Sequence, residues 1–142
     1  MASFEKRSIT AESAQIAIQA AAAKAKQLGH AMSIVIADEA GITKTSLRMD
    51  GASELTLNIA ADKAHTSASL GMATSALWDM IKNDPPLQYG FPATPRVVTF
   101  GGGYPIIEDG SPIGAIGVSG GHYSDDMEVA RAGLAAIGAP VL

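Results

Sequence analysis

The sequence predicts an α+β fold in which helices cover an antiparallel sheet. With 142 residues, the chain is long enough for one domain with one hydrophobic core but not for two. Two pairs of β-rich runs are each joined by a short turn that contains glycine, which is typical of β-hairpins and of antiparallel pairing. Helical segments precede, separate and follow the hairpins, and such helices must cover at least one face of the sheet. We therefore expect a single domain over residues 1–142, with one layer of helices on the sheet.

The first helix and the first hairpin have the clearest signals. Thr10 is suited to be an N-cap, apolar residues recur at spacings of three and four over 14–28, and Gly29 is suited to end the helix. The apolar stripe is mostly alanine, which favours close packing against a neighbouring element. The β-rich runs at 32–37 and 42–49 flank the turn DEAG, and this arrangement predicts a hairpin.

Two more helices are predicted after this hairpin, over 55–70 and about 75–82, with Thr74 capping the second. Residues 83–96 contain four prolines, which remove backbone donors and constrain the residues before them. We expect no regular element in this segment. A loop of this length in a small domain is often functional, so Tyr89 is a candidate ligand contact.

The last third of the chain predicts the second hairpin and a final helix. Residues 97–100 lead through three glycines into a strand at 104–108, and the dipeptide Asp-Gly at 109–110 favours a tight turn before a return strand at 113–118. Ser124 is suited to cap a helix that runs from 125 to about 137.

The composition excludes several classes of function. The chain has no cysteine, so it has no disulfide, thiolate nucleophile, zinc finger or cysteine-ligated iron–sulfur cluster. A net charge of −4 without a basic stripe argues against a nucleic-acid partner. The first residues are polar and no run of about 18 apolar residues follows, so we expect neither a signal peptide nor a membrane-spanning helix. The composition favours a cytoplasmic domain with no membrane partner.

Two glycine-rich motifs resemble catalytic loops only superficially. The run GVSGG at 117–121 fits the serine-hydrolase pattern, but no helix is expected directly after Ser119, and no Asp and His follow far downstream. Neither glycine run ends in the Lys-Ser/Thr of a phosphate loop, and Asp125 and Asp126 would repel a phosphate from the next helix. The glycines suit either tight turns or the close approach of a flat ligand, and both interpretations stay open.

Histidine and isolated charges supply the remaining candidates. His122 lies in a glycine-rich loop, where an imidazole is suited to ligate a metal or to transfer protons. No two histidines have helical metal-site spacing, so no structural metal is expected. Arg48, Asp50, Lys63 and Asp126 stand at element ends in a chain poor in charge. They suit a buried ion pair, or a carboxylate site with Arg48 and Lys63 as its cationic half.

Four ordered motifs resemble the GlcG/HbpS family, which includes haem-binding and glycolate-operon proteins and the C-terminal domain of some corrinoid adenosyltransferases. These motifs are RMDGA at 48–52, IAADKA at 59–64 with TSA at 66–68, GG-x-P at 102–105, and GAIGVSGG at 114–121 followed by Asp126 and VARAG at 129–133. The resemblance covers about residues 8–138. It implies a profilin-like, PAS-related fold and a homo-oligomer, from dimer to octamer.

The resemblance also implies where a ligand or substrate would bind. The positions that match the family's motifs are Arg48, Asp50, Lys63, Gly102, Gly103, Ser119, Gly120 and Asp126. His65, His122 and the segment 85–95 depart from the family's pattern.

Three functions follow from these residues as hypotheses. The first is a binder of haem or a similar flat ligand between the glycine loops and the proline-rich loop, at a subunit interface, with His122 or His65 on the iron. The second is a cofactor-independent isomerase, hydratase or hydrolase, acting on an organic acid or a ring-cleavage product. There Arg48 and Lys63 would hold a carboxylate, while Asp126 and His122 exchange protons. The third is an accessory subunit in which the glycines and charges only hold an oligomer together.

Overall fold

The computed structural model describes all residues from 1 to 142 and contains five helices and four strands. The helices are α1 (Ala11–Gln27), α2 (Glu54–Leu70), α3 (Thr74–Ile81), α4 (Pro85–Gly90) and α5 (Tyr123–Ala136). The strands are β1 (Ser33–Asp38), β2 (Thr43–Arg48), β3 (Gly103–Glu108) and β4 (Ser111–Ser119). The predicted α+β class is confirmed. None of the helices combines the length and the apolar character that crossing a membrane requires.

The four strands form one antiparallel sheet in the order β2-β1-β4-β3. Both predicted hairpins are confirmed, and the pairing of β1 with β4 joins them at the centre of the sheet. Asp109 and Gly110 both have positive φ angles, of 50° and 77°, which is the backbone that two-residue hairpin turns favour. In the other turn, the Asp38 carboxylate accepts hydrogen bonds from the backbone N–H groups of Ala40 and Ile42.

Helices cover both faces of the sheet, so the prediction of a single helical layer is wrong. Helices α1 and α5 pack on one face and helix α2 on the other. The sequence of β1 explains this arrangement. Residues 33–37 are all buried, and Ile34, Val35, Ile36 and Ala37 form a continuous apolar run, as expected of a strand that is covered on both faces. The larger core includes Ile34, Ile36, Ile116 and Val118; the smaller core consists of Val35, Ala37, Ala60, Ala64 and Ala115.

Small residues let α2 lie directly on the sheet. Gly117 of β4 faces Ala60 and Ala64 of α2, and a Cβ atom at Gly117 would overlap the carbonyl oxygen of Ala60. The helix backbone and the strand backbone are therefore in contact, as the alanine-rich composition suggests. This close packing places Lys63, which precedes Ala64 in the same turn of α2, beside the end of β4.

Several element boundaries differ from the prediction. Residues 83–96 are not entirely irregular, because Pro85 and Pro86 stand in the first turn of α4, where a missing N–H is tolerated. Helix α5 begins at Tyr123 and is capped by His122 rather than by Ser124. Thr74 is the first residue of α3 rather than its cap. Thr10 does cap α1, since its Oγ1 accepts a hydrogen bond of 3.0 Å from the N–H of Ser13.

Candidate functional site

An ion pair lies buried where α2, β4 and α5 meet. The ammonium Nζ of Lys63 is 2.9 Å from Oδ2 of Asp126, and the two side chains are 0% and 3% exposed. The same ammonium donates a hydrogen bond of 2.8 Å to the carbonyl oxygen of Val118 at the end of β4. The other carboxylate oxygen of Asp126 accepts a hydrogen bond of 3.0 Å from the N–H of Gly121. Each charge is thus satisfied by its partner and by backbone groups.

Burial shifts the protonation equilibrium of both groups toward their neutral forms. Desolvation lowers the pKa of Lys63, although the charge and hydrogen bond of Asp126 oppose that shift. Desolvation raises the pKa of Asp126, opposed by Lys63 and by the Gly121 N–H. Each charge depends on the other, because removing one partner would leave an unpaired charge in the interior.

Gly102 closes over the ammonium of Lys63. Its φ angle is +127°, and a Cβ atom would stand 2.6 Å from Lys63 Nζ and 2.7 Å from the Val118 carbonyl oxygen. Its own carbonyl accepts a hydrogen bond of 2.9 Å from the N–H of Val118. Only glycine fits this position, because both the backbone angle and the available space exclude a side chain.

An open cleft with aromatic walls adjoins the ion pair. It has a volume of about 680 Å³ and is lined by Ser75, Trp78, Asp79, Thr99, Phe100, Gly101, Tyr123 and Met127. Trp78, Phe100 and Tyr123 are 39%, 45% and 49% exposed, which is high for large apolar side chains in a small domain. A concave surface with exposed aromatic rings and a few polar groups is typical of a small-molecule site.

Three separate elements build the cleft. Helix α3 buries Leu77 and Ile81 and leaves Trp78 on the side of the cleft. The first turn of α5 contributes Tyr123 and Met127, and the segment before β3 contributes Phe100. Lys63 Nζ lies over the Phe100 ring, 4.8 Å from its centroid. Phe100 therefore both lines the cleft and contacts the ion pair.

The structure brings some of the candidate site residues together and separates others. Gly103 lies beside Lys63 and Gly102, and its N–H donates a hydrogen bond of 3.0 Å to Thr74 Oγ1. Ser119 is buried at the end of β4, opposite Ser33 of β1. Gly120 packs against Met32 rather than lining the cleft.

Arg48 and Asp50 lie on a different surface from Lys63. They line a shallow groove of about 590 Å³ together with Lys26, His30 and Met49. Arg48 is exposed and donates a hydrogen bond of 2.8 Å to the carbonyl oxygen of Ala52, whereas the ammonium of Lys63 is enclosed. In this structure the two cations do not face one common cleft.

The remaining candidates lie at the protein surface. Tyr89 on α4 is 74% exposed and does not line the aromatic cleft. His122 is exposed, and its Nδ1 accepts a hydrogen bond of 3.3 Å from the N–H of Ser124. Its ring packs on that of Tyr123, with centroids 4.0 Å apart, so His122 is next to one wall of the cleft but does not line it. His65 packs against Gly41 in the turn between β1 and β2. No group of three or more His, Asp and Glu side chains converges as a metal site.

The aromatic walls were missed by the sequence analysis. The chain has only one tryptophan, three phenylalanines and three tyrosines, and an aromatic residue stands directly beside each glycine loop. Phe100 precedes the first loop, and Tyr123 follows the second after His122. Scarce aromatic residues next to glycine loops are the signal that would have found two of the three walls.

The α+β fold is profilin-like, and its open aromatic cleft is of the kind found in small domains that bind small molecules. A family model described as "Haem degrading protein HbpS-like" matches residues 9–135. The chain belongs to this HbpS-like family, which confirms the resemblance drawn from its four motifs.

Relatives of known sequence include free-standing and fused forms of the domain. An uncharacterised 15.0 kDa protein from the dhaT-dhaS intergenic region of Citrobacter freundii is 36% identical over 128 residues, which are 89% of each chain. The corrinoid adenosyltransferase PduO of Salmonella typhimurium is 36% identical over 121 residues, which are 84% of this chain and 36% of that enzyme. This chain therefore spans about a third of the adenosyltransferase. GlcG of Escherichia coli is 30% identical over 78% of this chain and 81% of its own.

Solved structures share the whole fold. The Klebsiella pneumoniae protein ORFY has a TM-score of 0.90 and 31% identity, covering 97% of this chain and 96% of its own. A PduOC:heme complex has a TM-score of 0.87 and 32% identity, covering 94% of this chain and 98% of its own. HbpS has a TM-score of 0.85 and 32% identity, covering 94% of this chain and 93% of its own.

Proposed function

We propose that this protein binds haem or a similarly flat, conjugated ligand in the aromatic cleft. The observation that carries the proposal is the convergence of Trp78, Phe100 and Tyr123, all partly exposed, on one concave surface. Aromatic side chains stack on flat conjugated rings, and such contacts contribute beyond the apolar area that they bury. The similarity to PduOC, whose structure was solved as a complex with haem, supports this class of ligand.

The residues of the cleft fit a haem group. The cleft volume of about 680 Å³ lies within the range typical of small-molecule sites. Met127 lines the cleft and is suited to ligate the iron. His122 is the second candidate: it lies outside the cleft lining, beside Tyr123, with its Nδ1 bonded to Ser124 and its Nε2 without a hydrogen bond, so its ring would have to turn toward the cleft to reach the iron. When bound, the haem would supply an iron centre that exchanges axial ligands and electrons.

The proposal places the ligand against the first glycine loop. Gly101 lines the cleft, and the absence of a side chain there lets a flat ligand approach the backbone. The second loop turns toward Met32, against which Gly120 and Gly121 both pack. Ser75 and Thr99 supply hydroxyl groups suited to orient the ligand, while the carboxylate of Asp79 is paired with Lys82 at 3.1 Å.

A homo-oligomer is part of the same proposal. Helices α3 and α4 expose Met80, Leu87 and Tyr89, which are 52%, 38% and 74% exposed. A second copy of the chain would cover this apolar surface, which continues from the helix that carries Trp78. Tyr89 would then contact a ligand only within the assembly.

The geometry favours binding over catalysis by Lys63 and Asp126. Both side chains are almost fully buried and are bonded to each other and to backbone groups, so neither meets the cleft directly. A proton-exchanging role for this pair, with His122 as partner, has no observation of its own in the structure.

Titration of the purified protein with haemin tests the proposal. We expect a saturable shift of the Soret band and quenching of the fluorescence of Trp78, the only tryptophan in the chain. Haemin that adds without saturation, with no effect on Trp78 fluorescence, would reject the cleft as the site.

A further inference from the structure

We propose that Thr66 and Thr74 are positioning residues that fix the wall of the cleft carrying Phe100. This wall is formed by residues 97–102, which we call the strap and which connect the segment after α4 to β3. The inference rests on the proposed function, because it assigns the strap a role in ligand binding. It concerns two buried hydroxyl groups that lie outside the cleft itself.

The backbone of the strap is held mainly at its two ends. Residues 99–101 make no backbone hydrogen bond to another part of the chain, and the strap forms neither helix nor strand. At one end, Val97 N–H donates to Thr94 O at 3.2 Å; at the other, Gly102 O accepts from Val118 N–H at 2.9 Å. A segment with so few backbone bonds depends on side chains for a defined position.

Thr66 and Thr74 supply those contacts from α2 and α3. The Thr66 hydroxyl accepts a hydrogen bond of 3.1 Å from Val98 N–H, and its oxygen lies 2.9 Å from the carbonyl oxygen of Arg96. The Thr74 hydroxyl accepts a hydrogen bond of 3.0 Å from Gly103 N–H. Both threonines are at most 1% exposed, so water does not compete for these bonds.

A residue with strained backbone, Arg96, immediately precedes the strap. Arg96 has a φ angle of +65°, which residues other than glycine rarely adopt. Two contacts from α2 reach this residue. The single proton of the Thr66 hydroxyl is shared between the carbonyl oxygens of Asp62, at 2.7 Å, and Arg96, at 2.9 Å, and Asp62 Oδ1 accepts a hydrogen bond of 2.9 Å from Arg96 Nε. Strained backbone persists where the surroundings over-determine it, and such positions cluster at ligand clamps.

The consequence of this anchoring is a preorganised aromatic wall. Phe100 lies at the middle of the strap, with its ring 4.8 Å from the ammonium of Lys63 and its exposed part in the cleft. Because the strap is already ordered, a ligand that stacks on Phe100 does not have to order it on binding. If either hydroxyl is lost, the strap becomes less ordered in the free protein, and the entropic cost of ordering it then lowers the affinity for the ligand.

The test compares valine and serine at each threonine, since valine keeps the shape and removes the hydroxyl, while serine keeps the hydroxyl. We expect T66V to accelerate hydrogen exchange of the Val98 amide and T74V to accelerate that of the Gly103 amide. Haemin affinity should fall by about three- to tenfold in each valine variant, the factor that corresponds to one lost hydrogen bond. T66S and T74S should restore both properties. T45V, on strand β2 at the opposite edge of the sheet, should change neither.

Two readouts keep the inference separate from the proposed function. Exchange at Val98 and Gly103, with nuclear Overhauser contacts between the Phe100 ring and the Lys63 side chain, reports the strap without any ligand. If wild type does not bind haemin, the proposed function fails, and these ligand-free measurements still decide whether the threonines hold Phe100. Unchanged exchange in both valine variants overturns the inference, as does accelerated exchange with unaltered haemin affinity. If T66V does not fold, D62N takes its place. This variant weakens the exposed contact between Asp62 and Arg96 at the same end of the strap, and the exchange of the Val98 amide is measured in the same way.

Discussion

Lys63 of α2 and Asp126 of α5 form an ion pair that joins the two helical layers of the protein. The Nζ–Oδ2 distance is 2.9 Å, and both side chains are almost completely buried. Helix α2 covers one face of the sheet and α5 the other, so the pair connects them past the end of β4. Gly102 provides the space for this connection, because a side chain there would collide with the ammonium.

Replacement of Lys63 by methionine is expected to destabilise the protein by about 3–5 kcal/mol, because Asp126 is left as an unpaired buried charge. Urea unfolding measures the change. The matched control is K82M, since Lys82 pairs with Asp79 at 3.1 Å but both side chains are exposed. The control should change the free energy of unfolding by less than about 1 kcal/mol.

The double variant K63M/D126L tests whether the loss comes from the unpaired charge. It removes both charges and keeps apolar side chains of similar size, so it should recover most of the stability lost in K63M. A double variant less stable than K63M would show that the loss in K63M does not come from an unpaired charge on Asp126.

Stability should also depend on pH through Asp126. Burial raises the pKa of this carboxyl group above its ordinary value of 3.8, so the folded protein holds the proton more tightly than the unfolded chain. Protonated Asp126 therefore makes its full contribution to the free energy of unfolding below pH 3.8, and this contribution is lost as the pH rises through the folded-state pKa. Relative to K63M/D126L, the free energy of unfolding of wild type should therefore fall as the pH rises from 3.8 through the raised folded-state pKa of Asp126. A difference that rises with pH would contradict the assigned direction.

The substitution G102A should destabilise the protein by about 3 kcal/mol or more, because it adds strain and a collision with Lys63 and Val118. G71A is the control: Gly71 has a φ angle of +66°, but a Cβ atom there meets nothing within 4 Å. It should cost only about 1 kcal/mol. Equal losses in the two variants, measured by thermal unfolding, would mean that the space around the ammonium is not limiting.

The substitution H122A tests the proposed iron ligand. We expect haemin to bind still through the aromatic walls, with a Soret band at a different wavelength because one axial ligand is lost. H30A is the control, since His30 is bonded to Asp125 at 2.8 Å, whereas the His122 ring packs on Tyr123, which lines the cleft. A spectrum unchanged in H122A but altered in M127A would assign the iron to Met127 instead.

The hairpins and most helices were predictable because their signals are local. The Asp109-Gly110 turn, the Thr10 cap and the glycine that ends α2 at Gly71 each act within a few residues. Helix α4 was missed because two prolines are tolerated in a first turn, although they usually indicate irregular structure.

The site was less predictable because it depends on long-range packing. The sequence left open whether Lys63 pairs with Asp126 or joins Arg48 in a carboxylate site, and the choice follows from α2 and α5 covering opposite faces. Trp78, Phe100 and Tyr123 come from three separate elements. Their convergence follows from the placement of those elements, which no local pattern encodes.

Comparison of haemin binding by F100A and F4A decides whether the aromatic cleft is the haem site. Both residues are exposed phenylalanines, at 45% and 81%, but only Phe100 lines the aromatic cleft. We expect F100A to weaken haemin binding by about tenfold, which corresponds to the loss of an aromatic stacking contact, while F4A binds like wild type. Equal affinity in wild type, F100A and F4A would contradict the assignment of the cleft as the haem site.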